Sequence, residues 1–420
     1  MEQNLHAQRG FHMLAKPTGP ICNLDCGYCF YTEKESLFSG QPTYRMSDEV
    51  LETFIKKYIE SQHSPEVPFV WQGGEPTLIG LDFYKKVIKY QSKYAKNKVI
   101  KNSLQTNGTL LNEEWCEFLA KHDFMVGLSL DGPEFIHDRY RVDRGQQATF
   151  HKVMRALTLL KEYAVEFNVL TCITKESAHY PLEIYRFFKE QEIRFVQFIP
   201  IVERTPDNSA KEWGLRHGAP SSPKNEQAHD QVTTWTVEPE VYGDFLITIF
   251  DEWVRKDVGD FHIMNFEWAL TSWLGLPSNI CIFSERCGQA VVMEHTGDIY
   301  SCDHYVYPTY KLGNILEDRP SDLVDSTEQR EFGASKELDL PQECLTCEVR
   351  FACHGECPKR RFSKTTTGEP GLNYLCKGYK KYFRHIHPYM KVMVQLIENN
   401  LPVSHVKDVI KGPLIIKTNR

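Results

Sequence analysis

What this chain lacks narrows its reading first. It has no stretch of about 18 apolar residues, which excludes a membrane-spanning helix. Its first residues, MEQNLHAQRGFHMLAKP, carry no apolar core of a signal peptide, so the expected location is the cytoplasm. It has no basic excess. Lys and Arg number 49 against 56 Asp and Glu, and a net charge of −7 argues against a general nucleic-acid binder. It shows no internal repeat and no low-complexity tract. With 41% hydrophobic and 25% charged residues the composition is that of an ordinary globular protein, and 420 residues suffice for two or three domains.

Cysteine is the exception. There are 13, crowded into two fields. Cys22, Cys26 and Cys29 form the first, and Cys281, Cys287, Cys302, Cys344, Cys347, Cys353, Cys357 and Cys376 the second. Cys116 and Cys172 stand alone and read as ordinary buried thiols. An odd total fits poorly with a closed disulfide framework, and cytoplasmic thiols stay reduced, so both fields read as metal ligands. Three thiols are one short of a closed zinc site or a fully ligated four-iron cluster. Either a distant residue completes the set or one metal position stays open. The second field makes two full sets of four, enough for two [4Fe–4S] clusters or, alternatively, two structural zincs.

From residue 10 to about 258 the pattern alternates. Six β-rich runs at 11–17, 67–74, 102–108, 124–132, 166–174 and 194–203 are separated by helical patterns. Ser47, followed by Asp48 and Glu49, reads as a helix cap with acids in the first turn. Further helices are expected over about 82–95, 112–121, 147–163, 180–191 and 239–257. Such alternation predicts a parallel α/β sheet, open or curled into a barrel, with its site at the C-terminal strand ends. Gly73-Gly74-Glu75 and Ser129 fall at such ends. Bare backbone at Gly73 and Gly74 suits close approach of a ligand, and Glu75 suits an ammonium, although Gly-Gly alone reads as a β-to-α turn. Arg141 has the planar fork that suits a carboxylate; alone it reads as a surface ion pair, and Ser129 alone as a strand-end cap. Residues 204–237 are polar and rich in Pro, Gly and Ser, and read equally as a lid or as a surface insertion. After residue 280 cysteine and short strands take over, and a helix-rich tail follows from about 377.

With Tyr28 in the aromatic place, C-x3-C-x-aromatic-C at 22–29 resembles the signature of the radical S-adenosylmethionine (SAM) superfamily. The resemblance implies a partial (β/α)6 barrel over 10–258. It also implies a [4Fe–4S] cluster on Cys22, Cys26 and Cys29, whose open iron chelates the amino and carboxylate groups of SAM. Reductive cleavage of SAM there yields a 5′-deoxyadenosyl radical. By the same resemblance Tyr28, Gly73, Gly74, Glu75, Ser129, Arg141 and the backbone at Ile199 form the cofactor-binding set. The run C-x2-C-x5-C-x3-C at 344–357, with Cys376 beyond it, resembles the SPASM extension, expected over 259–390 with a C-terminal tail at 391–420. That likeness implies one auxiliary [4Fe–4S] cluster on Cys281, Cys287, Cys302 and Cys357. It implies another on Cys344, Cys347, Cys353 and Cys376.

The segments CNLDCGYCFYTEKESL, FVWQGGEPTL, GLSLDGP, IHDRYR, QFIPIVER and SCDHYVYP together resemble the anaerobic sulfatase-maturating enzymes, from about residue 10 to 390. This implies oxidation of a Cys or Ser, within C-x-P-x-R or S-x-P-x-R of an unfolded sulfatase, to Cα-formylglycine. The implied partners are that polypeptide and an electron donor such as flavodoxin or ferredoxin, with no nucleic acid and no membrane. The reaction needs a radical at the substrate Cβ, a base for the thiol or hydroxyl proton, and an acceptor for one electron. The resemblance makes Asp303, directly after Cys302, the base; by itself it reads as a turn residue. His304 is the alternative base, since a neutral imidazole is competent near pH 7. The auxiliary clusters carry the electron or serve structure. Two rival readings are a radical SAM/SPASM maturase of another peptide, such as a ribosomal natural-product precursor, and a non-enzymatic iron–sulfur or zinc scaffold.

These ligand sets imply three [4Fe–4S] clusters, so anaerobic reconstitution is expected to load about twelve irons per chain. Iron and sulfide analysis checks this, and stoichiometric zinc with little iron would contradict it.

Overall fold

The computed structural model describes residues 6–40, 43–220 and 231–410. Its centre is one ten-stranded sheet. In chain order the first seven strands are β1 (His12–Ala15), β2 (Glu66–Trp71), β3 (Val99–Thr106), β4 (Phe124–Ser129), β5 (Phe167–Ile173), β6 (Phe195–Pro200) and β7 (His262–Ile263). They pair in parallel and in order. Between them run α1 (Asp48–Ser61), α2 (Leu81–Tyr94), α3 (Glu113–Lys121), α4 (Phe150–Glu162), α5 (Pro181–Glu190) and α6 (Pro239–Lys256). The Ser47 hydroxyl accepts from Val50 N at 3.2 Å, as the sequence predicts for a cap.

Each strand turns one face to the helices. In β2, Val67, Phe69 and Trp71 are buried there, with Trp71 packed on Phe54 of α1 and Tyr84 of α2. The alternate positions are only half-buried. Gln105, Ser129, Cys172 and Ile199 occupy them at the C-terminal ends of four adjacent strands, with Cys172 directly opposite Ile199. This is the face on which a parallel sheet builds its site.

The cysteine-rich part joins the same sheet. β8 (Ala290–Met293) pairs in parallel with β1, and β9 (Asp298–Tyr300) and β10 (Lys311–Asn314) extend that edge antiparallel. The boundary expected at 258–259 therefore precedes β7, α7 (Met264–Trp273) and three strands of one continuous sheet. The long helix α8 (Cys376–Glu398) runs through the boundary expected at 390–391 and packs back on α6. There Gly378 meets Gly243, and a Cβ on Gly378 would lie 1.9 Å from Pro239 O. The last ten residues of the expected tail lie outside the described residues.

The insertion at 204–237 is anchored at its base. Arg204 bridges Val232, Thr233 N donates to Glu203 O at 2.9 Å, and Val237 N donates to Ile201 O at 3.0 Å. Farther out, Glu33 accepts from Arg216 N at 2.6 Å and His217 N at 3.1 Å, while Leu215 packs with Tyr307. Its described parts thus bind both the segment after the first cysteines and the cysteine-rich domain. Its residues 221–230 lie outside the described residues.

Gly73 and Gly74 serve a close approach of backbone to backbone, and the partner belongs to the first cysteine field. It is the loop that leads into Cys22. Gly74 N donates to Gly19 O and Glu75 N to Ile21 O, both at 2.8 Å. A Cβ on Gly74 would stand 2.0 Å from Ile21 O, a backbone atom that cannot step aside. Gly74→Ala is therefore expected to displace the first cysteine loop. On the ligand sets expected from the sequence, reconstituted protein should lose about four of some twelve irons, together with SAM cleavage. Unchanged iron and cleavage would contradict this.

Candidate active site

Three thiols are gathered on the loop after β1. Leu24 N donates to Cys22 Sγ at 3.3 Å, Asn107 Nδ2 approaches the same sulfur at 3.7 Å, and Arg144 Nε donates to Cys22 O at 2.7 Å. Cys29 N donates to Cys26 O at 2.9 Å, which closes the turn. Burial, and then the Glu75 carboxylate, push the Cys22 thiol up to about 12. Cys26 and Cys29 are also raised by burial, and each of the three thiolates would feel at least one of the others. Bare thiolates are thus unfavourable here, and a cationic iron centre held by them would supply the compensating charge. The donor set fits a cluster. Among the described residues no three His, Cys, Asp or Glu side chains are arranged to hold a single ion.

Of the expected SAM contacts, Tyr28 lies on this loop, with the Arg141 guanidinium 5.6 Å from the centre of its ring. Tyr28 is buried, and its hydroxyl donates to Asp131 Oδ2 at 2.6 Å. Arg141 is buried as well, contrary to a surface ion pair. Its Nε donates to the same Asp131 oxygen at 2.9 Å, and its Nη2 reaches Cys172 Sγ at 3.6 Å. Ser129 Oγ accepts from Gln105 Nε2 at 3.2 Å. Ile199 lines the same strand-end face. Glu75 is engaged within the protein. Its carboxylate accepts from Thr77 N, Thr77 Oγ1, Thr106 Oγ1 and Asn107 N at 2.6–3.0 Å, so it ties the ends of β2 and β3 together. Cys172 also departs from the ordinary-thiol reading, because it stands beside Arg141 at the site face; Cys116 is fully buried in α3. Asp131 was missed. Its signal was the Ser129–Asp131 alternation, which puts a carboxylate just past a strand end.

In the second field the thiols neighbour one another in two groups. Cys302 lies within electrostatic reach of Cys357 and Cys281, and Cys287 of Cys281. Cys376 lies near Cys344 and Cys347, and Cys353 near Cys376 and Cys344. All eight are free thiols, and burial raises Cys302 well above its usual range. Lys336 is buried against the first set, and its ammonium donates to the carbonyls of Cys281, Ile282 and Ser284. Arg361 is buried between the two sets and donates to Gly355 O at 2.9 Å and Lys336 O at 2.6 Å. These cations suit the negative charge of thiolate-ligated clusters.

Asp303 sits where the two fields meet. It opens a short turn after Cys302, and its Oδ1 lies 2.5 Å from the Nζ of Lys16, which is 1% exposed. Lys16 follows β1 directly and stands 3.0 Å from the centre of the Tyr31 ring. The Tyr31 hydroxyl donates to the buried carboxylate of Glu294. Burial alone would push the Asp303 carboxyl up. The Lys16 ammonium outweighs that and holds it below its ordinary value, so it stays ionised and able to accept a proton. His304 is turned elsewhere: its Nδ1 lies 3.7 Å from Cys357 Sγ, and its ring meets Phe30 edge-on at 5.2 Å. Burial lowers its pKa well below the ordinary value, so it is neutral. Around this centre stand Lys34, buried on Tyr307, and a Lys359–Glu203 pair at 2.6 Å. Sequence reasoning missed Lys16, Tyr31, Lys34 and Glu203.

Comparison with known proteins agrees with this geometry. Residues 17–188 match the radical SAM superfamily, and residues 281–348 match an iron–sulfur cluster-binding domain. The chain is 46% identical over 407 residues to a serine-type anaerobic sulfatase-maturating enzyme of Bacteroides thetaiotaomicron, covering 97% of each. It is 35% identical over 379 residues to a cysteine-type enzyme of Clostridium perfringens, covering 90% of this chain and 96% of that one. The solved structure of native anSMEcpe with bound AdoMet and Cp18Cys peptide superimposes with a TM-score of 0.79 at 34% identity, over 93% of this chain and all of that one. Streptococcus suis SuiB bound to the precursor peptide SuiA shares the fold, with a TM-score of 0.58 at 16% identity over 88% of this chain and 76% of that one.

Proposed function

This chain belongs to the anaerobic sulfatase-maturating enzymes of the radical SAM superfamily, and from that premise we propose how its parts divide the work. It is a radical SAM oxidoreductase that converts an active-site residue of a sulfatase to Cα-formylglycine. Its target residue is Ser, within S-x-P-x-R. The observation that carries this choice is 46% identity to a serine-type relative across 97% of both chains. The rival natural-product maturase has only a shared fold behind it.

Cys22, Cys26 and Cys29 hold the SAM-binding [4Fe–4S] cluster, and the two interleaved sets hold one auxiliary [4Fe–4S] cluster each. When bound, these groups and SAM supply the radical that takes hydrogen from the substrate Cβ and the acceptor for the second electron. Asp303 takes the hydroxyl proton. One hydrogen atom, one proton and one electron leave the CH2OH group, and an aldehyde remains. Lys16 keeps Asp303 ionised before the step and orients it during the step. Asp303 neighbours Cys302, so proton and electron leave the substrate on the same side. Arg141, held by Asp131, and Tyr28 frame the SAM pocket. An electron donor of the flavodoxin or ferredoxin class reduces the enzyme in the cytoplasm.

The test is anaerobic incubation of the reconstituted enzyme with SAM, reductant and synthetic S-x-P-x-R and C-x-P-x-R peptides, read by mass. The serine peptide is expected to yield formylglycine; conversion of the cysteine peptide alone would overturn the serine assignment. Asp303→Asn is nearly isosteric but cannot take a proton. It is expected to keep all three clusters and to form 5′-deoxyadenosine, with aldehyde formation falling about 100-fold or more. A wild-type ratio of aldehyde to 5′-deoxyadenosine in this variant would remove Asp303 from the base role.

A further inference from the structure

Lys34 is a buried charge for which the steps above have no use. It lies five residues beyond Cys29, on the 3-10 turn Thr32–Phe38, with no exposed surface. Among the described residues no carboxylate forms an ion pair with it. Its Nζ donates to Val306 O at 3.1 Å and stands 3.7 Å from the centre of the Tyr307 ring and 5.9 Å from that of Tyr31. The charged groups facing it are Lys359 and Lys16, which repel it, and Asp303 and Glu33, which attract it. Burial and the two cations bring its pKa down to about 7. An amine this deep without an anionic partner is costly to keep. A Leu or Met would fill the same space at no such cost.

Its single acceptor suggests what the amine does. Val306 ends the short turn that Asp303 opens, and Tyr305 N closes that turn onto Cys302 O at 2.9 Å. Lys16 fixes the front of the turn through the Asp303 carboxylate, and Lys34 fixes its back through a backbone carbonyl. Both lysines come from the radical SAM domain, one on each side of the cluster loop, and the turn belongs to the cysteine-rich domain. A turn held at the front alone can pivot about the Asp303 side chain. A shift of about 1 Å at a catalytic group is enough to cost a large factor in rate.

We propose that Lys34 is a positioning residue of the oxidation: by holding Val306 it keeps the Asp303 carboxylate seated on Lys16, so that abstraction of the Cβ hydrogen is followed by loss of the hydroxyl proton. Lys34 exchanges no proton or electron with substrate. The proposal rests on the reading of Asp303 as the base.

The test uses reconstituted full-length enzyme and the S-x-P-x-R peptide. Lys34→Met nearly keeps the volume of the side chain and removes the donor, whereas Lys34→Arg keeps a donor. Iron per chain, peptide KM, 5′-deoxyadenosine and aldehyde are measured together. Lys34→Met is expected to keep the iron content and the KM, while 5′-deoxyadenosine per aldehyde rises about tenfold. Lys34→Arg is expected to bring that ratio back toward wild type. Lys34→Gln, polar but too short to reach Val306, gives the same reading if the Met variant does not load iron. A wild-type ratio in iron-loaded Lys34→Met or Lys34→Gln overturns the proposal. Equal loss of iron in all three variants also overturns it, because Lys34 would then support the fold alone. Wild-type enzyme that makes no aldehyde would instead overturn the assigned activity, which keeps the two failures apart.

Discussion

The ion pair between Lys16 and Asp303 is the contact on which the site depends. One partner follows the first strand, and the other lies 287 positions later, in a turn beside an auxiliary-cluster ligand. Lys16 is 1% exposed and the Asp303 side chain 23%, so loss of Asp303 would leave a buried ammonium without compensation. Docking of the cysteine-rich domain and formation of this ion pair are therefore one event. The sheet prepares it: β8 pairs with β1 along its whole length, His12 opposite Ala290 through Ala15 opposite Met293. That register brings the chain past Met293 close to the residue that follows Ala15. Lys16 N completes the match by donating to Met293 O at 2.9 Å.

The cluster loop is held between these same elements. Its entry lies on the bare backbone of Gly73 and Gly74, and its exit leads through Tyr31 into the turn that carries Lys34. Around it, charges are buried mostly in opposed sets: Asp131 with Arg141, Glu203 with Lys359, Glu356 with Arg360. Arg360 also donates to Pro200 O at 2.9 Å, which ties the end of β6 to the cysteine-rich domain. A site for charged clusters and a sulfonium cofactor needs such fixed dipoles and charges, because water cannot supply them once the site is closed.

The sequence was legible where the chemistry is written as spacing. Three and eight cysteines at fixed intervals announce their role without any fold, and the alternation of strands and helices follows from two hydrophobic periods. The alternation reappears in the structure as the parallel strands β1 to β7 with helices between them. What stayed hidden depends on pairing between distant residues. β7 has two residues and β8 four, too short for a period to show, so the continuation of the sheet across the expected boundary was invisible. Lys16 is a lone lysine before a proline, and nothing local says that a carboxylate from another domain will meet it. The four internal donors on the Glu75 carboxylate, three on Oε1 and one on Oε2, come from turns and strand ends that no local sequence pattern brings to it. Cys172 was misread because its half-buried face is set by sheet register, which alternates too finely for a single thiol to reveal.

The most direct test of the shared centre is a double-mutant cycle on Lys16→Met and Asp303→Asn, reading aldehyde formed per 5′-deoxyadenosine in iron-loaded enzyme. If Lys16 acts through Asp303, each single change lowers the yield and the double variant is no worse than Asp303→Asn alone. Independent, multiplicative losses in the double variant would contradict it, and would mean that Lys16 and Asp303 serve the reaction separately.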